Sequence, residues 1–250
     1  MIHSNYTMKF TLSCINVFTE IFDIYKNYCE TIKIHISNKG LHLQSSDNAN
    51  IAVIDIKLNY NHFDSYECNE ELIIDFDLND ICKILKICKK SKSLIYFNLE
   101  DNIFKITTLS NNVKKTFKIN SIYSTTQELL DINLLNINNV FEMESDLIKN
   151  IFDDFILFSN EITIKFKNSN LYFYSNNDNI DTIYEYNAKN NISDNDEYIS
   201  TFSLDYLHKF KLIKRFTNCN IRFAKDTPIF LSSPEHREIE FNFILAPKIT

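Results

Sequence analysis

Apolar and polar residues alternate along two corresponding stretches of the chain. Residues 32–45 and 162–175 align without a gap, and each stretch contains an alternating run, a turn with Asn and a second alternating run. Such alternation is typical of β-strands with one buried face, because successive side chains of a strand point to opposite faces. The repeat of this unit in both halves predicts two similar domains.

Four other segments have apolar residues at helical spacing, which predicts short amphipathic helices within 13–27, 80–92, 145–159 and 203–215. Each helix is expected to cover a sheet with its apolar face. The residues predicted to face inward are Cys14, Val17, Phe18, Ile21 and Tyr25 in the first helix, Ile81, Ile84, Leu85 and Cys88 in the second, Ile148, Ile151, Phe152 and Phe155 in the third, and Leu207, Phe210 and Ile213 in the fourth.

The segment between the two repeats is predicted to be a linker. Residues 120–139 have no clear periodicity and contain neither Gly nor Pro. The predicted organisation is therefore an N-terminal domain over 1–119, an interdomain connecting loop over 120–139 and a C-terminal domain over 140–250. A flexible tether needs no exposed apolar side chains, so the Leu and Ile residues at 129–135 predict that the linker lies along the protein surface.

Composition predicts a globular protein without a membrane span. Hydrophobic residues make up 44% of the 250 positions, which is enough for a core, yet no apolar run approaches the roughly 20 residues that cross a bilayer. The N-terminus has no signal-peptide pattern, so we expect a soluble, intracellular protein. The six Cys residues have no zinc spacing and are expected to be buried free thiols. The single Gly, Gly40, lies where a tight hairpin turn needs it.

Charge is unevenly distributed along the chain. The net charge is -7, which by itself argues against nucleic-acid binding. Residues 80–92 nevertheless carry +4 and residues 203–215 carry +3. A lysine-rich helix is commonly just a solvated surface, but two equivalent basic helices in an acidic protein favour a functional role.

No residue pattern predicts catalysis. The adjacent carboxylates Asp153-Asp154 and Glu100-Asp101 point apart on a helix or hairpin, and the six His residues have no metal-ligand spacing. A chain with one Gly has no glycine-rich phosphate loop. We therefore expect no enzyme activity, no metal and no cofactor.

Two motifs carry a family resemblance. Residues 40–47 read Gly-Leu-His-Leu-Gln-Ser-Ser-Asp, and residues 243–249 read Phe-Ile-Leu-Ala-Pro-Lys-Ile. Further matches follow in the same order at 63–68, 78–85, 100–102 and Pro228. Together they resemble the proliferating cell nuclear antigen (PCNA) family of DNA sliding clamps over residues 8–250. The resemblance implies an α+β DNA clamp fold, in which two similar domains, each with antiparallel sheets and two short helices, close into a trimeric ring.

The resemblance further implies that the helices face double-stranded DNA and contact it without sequence specificity. The family's first helix usually carries a Lys pair where this chain has Thr19 and Glu20. The implied DNA-facing residues are Lys83, Lys86, Lys90, Lys209, Lys211, Lys214 and Arg215, with Lys26 and Lys149 as minor contributors.

Partner docking is the second implied function. DNA polymerase, the clamp loader and other proteins with a PCNA-interacting peptide are expected to bind beneath the linker. Ser46 replaces a Met, Asn50 a His and Ile244 an aromatic residue of commoner members, so the peptide preference is expected to differ. The implied docking residues are Ser46, Asp47, Asn50, Ile51, Val53, Leu130, Ile132, Pro228, Ile244, Leu245, Ala246, Pro247, Lys248 and Ile249.

Ring closure in the family pairs one edge strand from each of two neighbouring subunits. The matching strands are 113–119 and 180–186, and they carry charges of opposite sign. The implied interface residues are Val113, Lys114, Lys115, Phe117, Ile180, Asp181, Ile183 and Glu185.

Two alternatives remain open at this stage. The chain is either a homotrimeric clamp or a clamp-like subunit of a heterotrimeric checkpoint ring or a monomeric or dimeric viral processivity factor. Checkpoint-ring subunits and viral processivity factors usually lose the terminal docking motif, which this chain retains at 245–249. The expected location is the nucleus, or a viral replication site if the source is a large DNA virus.

Overall fold

The structure is a computed structural model in which the chain forms two compact units. The first unit comprises Met1–Asn48, Ile54–Leu130 and His236–Glu240, and the second comprises Ala49–Val53, Asp131–Glu235 and Phe241–Thr250. The predicted linker is thus divided between the units after Leu130. The structure describes residues 6–91, 93–100, 102–110, 112–120, 122–123, 129–132, 137, 140–168, 170–177, 179–187, 197–225, 227–234 and 238–248.

The first unit combines two short helices with antiparallel strands. The strands β5-β1-β7-β8-β9 form one sheet in this order, and β10-β6-β2-β3-β4 lie side by side in a second. The elements are β1 (Tyr6–Leu12), α1 (Asn16–Lys26), β2 (Thr31–Ser37), β3 (Gly40–Ser46), β4 (Ala52–Asn59), β5 (Ser65–Cys68), β6 (Leu72–Asp77), α2 (Leu78–Ser91), β7 (Ile95–Glu100), β8 (Ile103–Ser110), β9 (Val113–Asn120) and β10 (Ile122–Tyr123).

The second unit contains a similar set of strands and short helices. The strands β14-β13-β12-β15 form one sheet, and β18-β17-β16-β11 lie side by side in this order. The elements are β11 (Val140–Glu144), α3 (Ser145–Phe155), β12 (Glu161–Lys167), β13 (Asn170–Asn176), β14 (Asp181–Asn187), β15 (Tyr198–Ser203), α4 (Leu204–Lys209), a 3-10 helix (Lys211–Arg215), β16 (Asn218–Arg222), β17 (Ile229–Ser232) and β18 (Ile239–Leu245).

The sequence repeat corresponds to one hairpin in each unit. Ser37 pairs with Gly40 in the β2-β3 hairpin, and Lys167 pairs with Asn170 at the same point of the β12-β13 hairpin. Gly40 has a φ of 128°, and a Cβ atom at this position would lie 2.0 Å from the carbonyl oxygen of Leu58. Glycine is therefore required by the close approach of a neighbouring strand as well as by the turn.

The helices are amphipathic as predicted, with some corrections in the first unit. Cys14 is exposed and precedes α1, although it was expected to face inward. Thr19 is buried, because α1 packs against α2 as well as against the sheet and therefore buries a wider face. Val17 and Ile84, both predicted to face inward, are half-buried rather than buried.

The fourth predicted helix is two helices. Phe210 has a φ of -79° and a ψ of 82°, which ends α4 and separates it from the 3-10 helix. Leu207, Phe210 and Ile213 are all buried, as predicted, although no single helix carries them. The apolar spacing therefore identified the buried residues correctly but not the break in the backbone.

Two further predictions from composition concern the Cys residues and membrane spans. Cys29, Cys82, Cys88 and Cys219 are buried free thiols, whereas Cys14 is exposed and Cys68 is half-buried, so the expectation of six buried thiols was wrong. Among the helices in the described residues, none has both the length and the apolar character of a membrane span.

Candidate functional site

The outward face of α2 in the first unit is basic. Leu78, Ile81 and Leu85 are buried, and the helical period places Lys83, Lys86 and Lys90 on the opposite, exposed face. All three belong to the predicted DNA-facing set. The face contains one further exposed residue of the same charge, Lys89, which was not in that set.

Two of these lysines make ion pairs at the surface. Lys83 Nζ lies 3.1 Å from Asp80 Oδ1, and Lys86 Nζ lies 3.2 Å from Asp23 Oδ1 of α1. All four side chains are solvent-exposed, so each pair contributes at most about 1 kcal/mol. A phosphate can replace either carboxylate at low cost. Lys26, at the end of α1, is also exposed.

A corresponding basic face lies in the second unit. The apolar side chains of Leu207, Leu212 and Ile213 are buried, and the basic residues between them point outward. The break after α4 spreads these basic residues over two short helices. The exposed basic residues are Lys209, Lys211, Lys214 and Arg215.

Lys149 was expected to contribute to this basic surface, but its position does not support that role. Its side chain is only 2% exposed, and its Nζ atom forms an ion pair with Asp153 one turn later on α3. The same Asp153 Oδ1 lies 3.1 Å from His208 Nε2 of α4. Burial, with Lys214 and Lys211 nearby, lowers the pKa of Lys149 to about 8. The sequence pattern did not reveal this burial, because Lys149 faces α4 rather than the sheet.

Each unit has an outermost strand with exposed apolar residues. β9 is the last strand of the five-stranded sheet and β14 the last of the four-stranded sheet. Val113 on β9 is 53% exposed and Ile183 on β14 is 66% exposed. Edge strands of this kind offer unpaired backbone groups to another chain.

Most of the predicted interface residues on or beside β9 and β14 are exposed. Phe117 is half-buried. Glu185 accepts a hydrogen bond from the Tyr172 hydroxyl, and Asn170 also donates to it. All the predicted interface residues other than Phe117 are exposed: Val113, Lys114, Lys115, Ile180, Asp181, Ile183 and Glu185.

Two exposed residues after α3 were missed by the sequence reasoning. Leu157 is 74% exposed and Phe158 is 42% exposed. They lie close to β14, since the Phe158 carbonyl accepts a hydrogen bond from Asn177, and the Phe155 ring contacts the Tyr184 ring. The signal in the sequence was the apolar run 156–158, which continues after the helical stripe has ended.

The predicted docking residues of the first unit include Leu130, whose backbone is bonded to Gln44 of β3. Gln44 Nε2 donates to the Leu130 carbonyl at 3.0 Å, and the Leu130 backbone N–H donates to Gln44 Oε1 at 2.6 Å. The Leu130 side chain stays exposed. Ser46 is half-buried and Asp47 is buried.

In the second unit the terminal segment is held by backbone hydrogen bonds. The Ala246 N–H donates to the Ile51 carbonyl, and the Lys248 N–H donates to the Thr201 carbonyl, both at 2.8 Å. The Lys248 ammonium forms an ion pair with Glu161. Asn50 and Ile51 are exposed, Val53, Ile132, Pro228, Ala246 and Pro247 are half-buried, and Ile244 and Leu245 are buried. Ile249 lies outside the described residues.

No metal-binding cluster of three or more His, Cys, Asp or Glu residues occurs within the described parts of the chain. The geometry described above thus consists of two basic helical faces, two exposed edge strands and two sets of docking residues. It offers charged and apolar surfaces for binding.

Comparisons with known proteins agree with this geometry. The family described as "Proliferating cell nuclear antigen, N-terminal domain" matches residues 8–139. The DNA polymerase sliding clamp of Methanothermobacter thermautotrophicus is 26% identical over 250 residues, which cover 96% of this chain and 98% of that protein. The proliferating cell nuclear antigen of Caenorhabditis elegans is 21% identical and the match covers 92% of each protein.

Solved structures show the same fold. The proliferating cell nuclear antigen of Entamoeba histolytica has a TM-score of 0.81 at 18% identity, covering 98% of this chain and all of that one. The protein from Thermococcus kodakaraensis has a TM-score of 0.81 at 17% identity, over 97% of this chain. These similarities confirm the predicted α+β clamp fold. Because the family match covers more than half of the chain, the protein belongs to the proliferating cell nuclear antigen family of DNA sliding clamps.

Proposed function

We propose that this DNA sliding clamp is a non-catalytic processivity factor that encircles duplex DNA as a homotrimer and tethers DNA polymerase to it. The single observation that carries the proposal is the repeated basic face, one on α2 and one on α4 with its 3-10 helix. Both faces are exposed in a protein whose net charge is -7. We place its action at the site of DNA replication, in the nucleus or at a viral replication site.

The chemistry of the basic faces suits sliding. Lys and Arg side chains neutralise phosphates, which are the same in every DNA sequence, so the contact holds the protein near the duplex without selecting a site. The carboxylates that pair with Lys83 and Lys86 give way to phosphate at low cost, because these pairs are exposed. The acidic remainder of the chain repels DNA from other surfaces.

Ring closure is proposed to occur between β9 of one subunit and β14 of the next. Both strands are outermost in their sheets and expose Val113 and Ile183. Lys114 and Lys115 bring positive charge to one edge, and Asp181 and Glu185 bring negative charge to the other. Pairing of unlike surfaces is head-to-tail, and it forms a closed ring when the rotation between subunits is a whole fraction of a turn.

Partner peptides are proposed to dock on the linker and on the terminal segment. The exposed Leu130 offers an apolar contact, and residues 246–248 are held in place by two backbone hydrogen bonds. The polymerase and the clamp loader are the expected partners. Ser46, Asn50 and Ile244 are proposed to shift the peptide preference away from that of commoner members.

A charge-reversal experiment tests the function. The double variant Lys83→Glu/Lys209→Glu places one reversal on each basic face and is expected to shorten the products of primer extension by the polymerase. Each lost phosphate contact should lower the slope of log affinity against log salt by about one. The matched control is Lys39→Glu/Lys225→Glu, which makes the same charge change at exposed residues outside both helical faces.

The two double variants separate the basic faces from net charge. Reduced processivity in Lys83→Glu/Lys209→Glu together with parental processivity in the control supports the proposal. Equal processivity in all three proteins would refute the assignment of the helical faces to DNA. Equal loss in both variants would attribute the effect to net charge alone.

A further inference from the structure

The Gln44 side-chain amide bonds the linker to the first unit at Leu130. Gln44 is 4% exposed, and its amide nitrogen and oxygen both bond to the backbone of Leu130. The donor bond to the Leu130 carbonyl is 3.0 Å long and the acceptor bond from the Leu130 N–H is 2.6 Å. This pair of bonds copies the pairing of neighbouring strands, so we call it the Gln44 clamp.

The Gln44 clamp works in only one orientation of the amide. If the amide were rotated by half a turn, its oxygen would face the Leu130 carbonyl and its NH₂ group would face the Leu130 N–H. Both bonds would then be replaced by repulsive contacts. Leu130 disfavours the rotated amide only when the linker is in place, so another group is needed to hold the amide in the correct orientation beforehand.

Asp55 is placed to make that selection. This β4 residue is 1% exposed, and its Oδ1 atom accepts a hydrogen bond from Gln44 Nε2 at 2.9 Å. An ionised carboxylate accepts hydrogen bonds and donates none, so only the NH₂ end of Gln44 can face it. The second N–H of that NH₂ group then points to the Leu130 carbonyl.

His42 keeps Asp55 in the ionised form. Its Nε2 atom forms a close hydrogen bond and ion pair with Asp55 Oδ1. Burial raises the pKa of Asp55, but the bonds from His42 and Gln44 and the charge of His42 outweigh burial, so the pKa lies below its ordinary value. The carboxylate is therefore charged at neutral pH.

We propose that Asp55 is a positioning residue for partner docking: it orients the Gln44 amide, which holds the linker so that Leu130 is presented to partner peptides. The proposal rests on the docking function proposed above for the linker. Asp55 touches no partner itself and acts through Gln44. The exposed Leu130 side chain meets an apolar anchor of the peptide, because an apolar side chain gains most from an apolar partner.

Two variants test this role in the full-length protein. Asp55→Leu removes this acceptor, so only the Leu130 backbone is left to orient the amide. The exchange variant Gln44→Glu/Asp55→Asn keeps a hydrogen bond between positions 44 and 55 but reverses its direction, which leaves the Leu130 carbonyl without a donor. The matched control is Ser45→Ala on β3, the strand of Gln44; it removes a 2.9 Å hydrogen bond to the Thr31 carbonyl of β2 without touching the linker.

Amide hydrogen exchange at Leu130 is the direct readout. Weaker attachment of the linker should speed this exchange by up to about tenfold in both variants, since one net hydrogen bond corresponds to about one such factor. Gln44→Glu/Asp55→Asn keeps an acceptor for the Leu130 N–H but loses the bond to the Leu130 carbonyl. Ser45→Ala should exchange at the parental rate. Unchanged exchange at Leu130 in both folded variants would overturn the proposal. If Asp55→Leu fails to fold, the result for Gln44→Glu/Asp55→Asn alone decides.

Peptide affinity is measured in parallel by calorimetric titration. The probe is a peptide of the type Gln-x-x-aliphatic-x-x-aromatic-aromatic. A several-fold weaker affinity in both variants, with parental thermal stability in the exchange variant, supports the positioning role. Faster exchange at Leu130 with unchanged peptide affinity would overturn it. A parent that binds no peptide would refute the docking function, even where the exchange data confirm the clamp.

Discussion

Replacing Ile183 with Asp tests whether β14 is an interface strand. Ile183 lies on the outermost strand of the four-stranded sheet and is 66% exposed. In the proposed ring this surface is covered by β9 of the neighbouring subunit. The introduced carboxylate would also add a third negative charge to a strand that already has Asp181 and Glu185.

The expected loss of affinity follows from the exposed area. Full burial of an Ile side chain stabilises by about 1.5–3 kcal/mol. About two-thirds of Ile183 remains to be buried, so each interface should lose about 1–2 kcal/mol. A trimeric ring has three such interfaces, so its dissociation into monomers should become easier by about 3–6 kcal/mol. This corresponds to a factor of about 10²–10⁴ in the equilibrium constant.

Sedimentation equilibrium over a range of protein concentrations measures this constant. The control is Ile199→Asp on β15, the same substitution at a residue that is 43% exposed in the same sheet but lies outside the proposed interface. The control should assemble like the parent. Equal assembly of Ile183→Asp and parent would refute the role of β14, and equal weakening of both variants would point to a loss of folding instead.

Three further variants give four predictions. Gly40→Ala should lower the free energy of unfolding by more than about 1 kcal/mol in urea, because Gly40 has a φ of 128° and no room for a Cβ; an unchanged midpoint would contradict this reasoning. Lys149→Met should retain DNA affinity, measured by anisotropy, since Lys149 is buried. A clear loss of DNA affinity would show that Lys149 does contribute to the basic surface. Because the pKa of Lys149 is lowered in the folded protein, the unfolded chain binds more protons than the folded one above about pH 8. The parent should therefore gain stability relative to Lys149→Met as the pH rises from 8 to 10. A constant difference in stability between the two proteins would be inconsistent with this shift. Leu130→Ser/Ile132→Ser should abolish peptide binding in calorimetry while the oligomeric mass stays parental, and equal affinity would place docking elsewhere.

The fold was predictable where local patterns determine structure. The alternating runs at 32–45 and 162–175 became matching hairpins, and the inward residues of α3 are all buried as predicted. Neither the order of the strands within the sheets nor the break in the fourth helix was predictable in this way. The apolar spacing is the same whether one helix or two carries Leu207 and Ile213, and only the backbone at Phe210 distinguishes them.

The candidate site was predictable in composition rather than in contacts. Charge counts identified the basic segments, yet they also included Lys149, whose burial depends on packing between α3 and α4. The Gln44 clamp was not anticipated, since Gln44 and Leu130 are 86 positions apart and the bonds depend on the linker's path. Nor does any local pattern place Asp55 beside His42, because cross-strand neighbours are set by register.

The mass of the purified protein in solution tests the closed ring most directly. Light scattering at micromolar concentration should give a mass near three times 29.5 kDa if three subunits close around DNA. A mass near 29.5 kDa under the same conditions would contradict the ring and the proposed way in which the clamp stays on DNA.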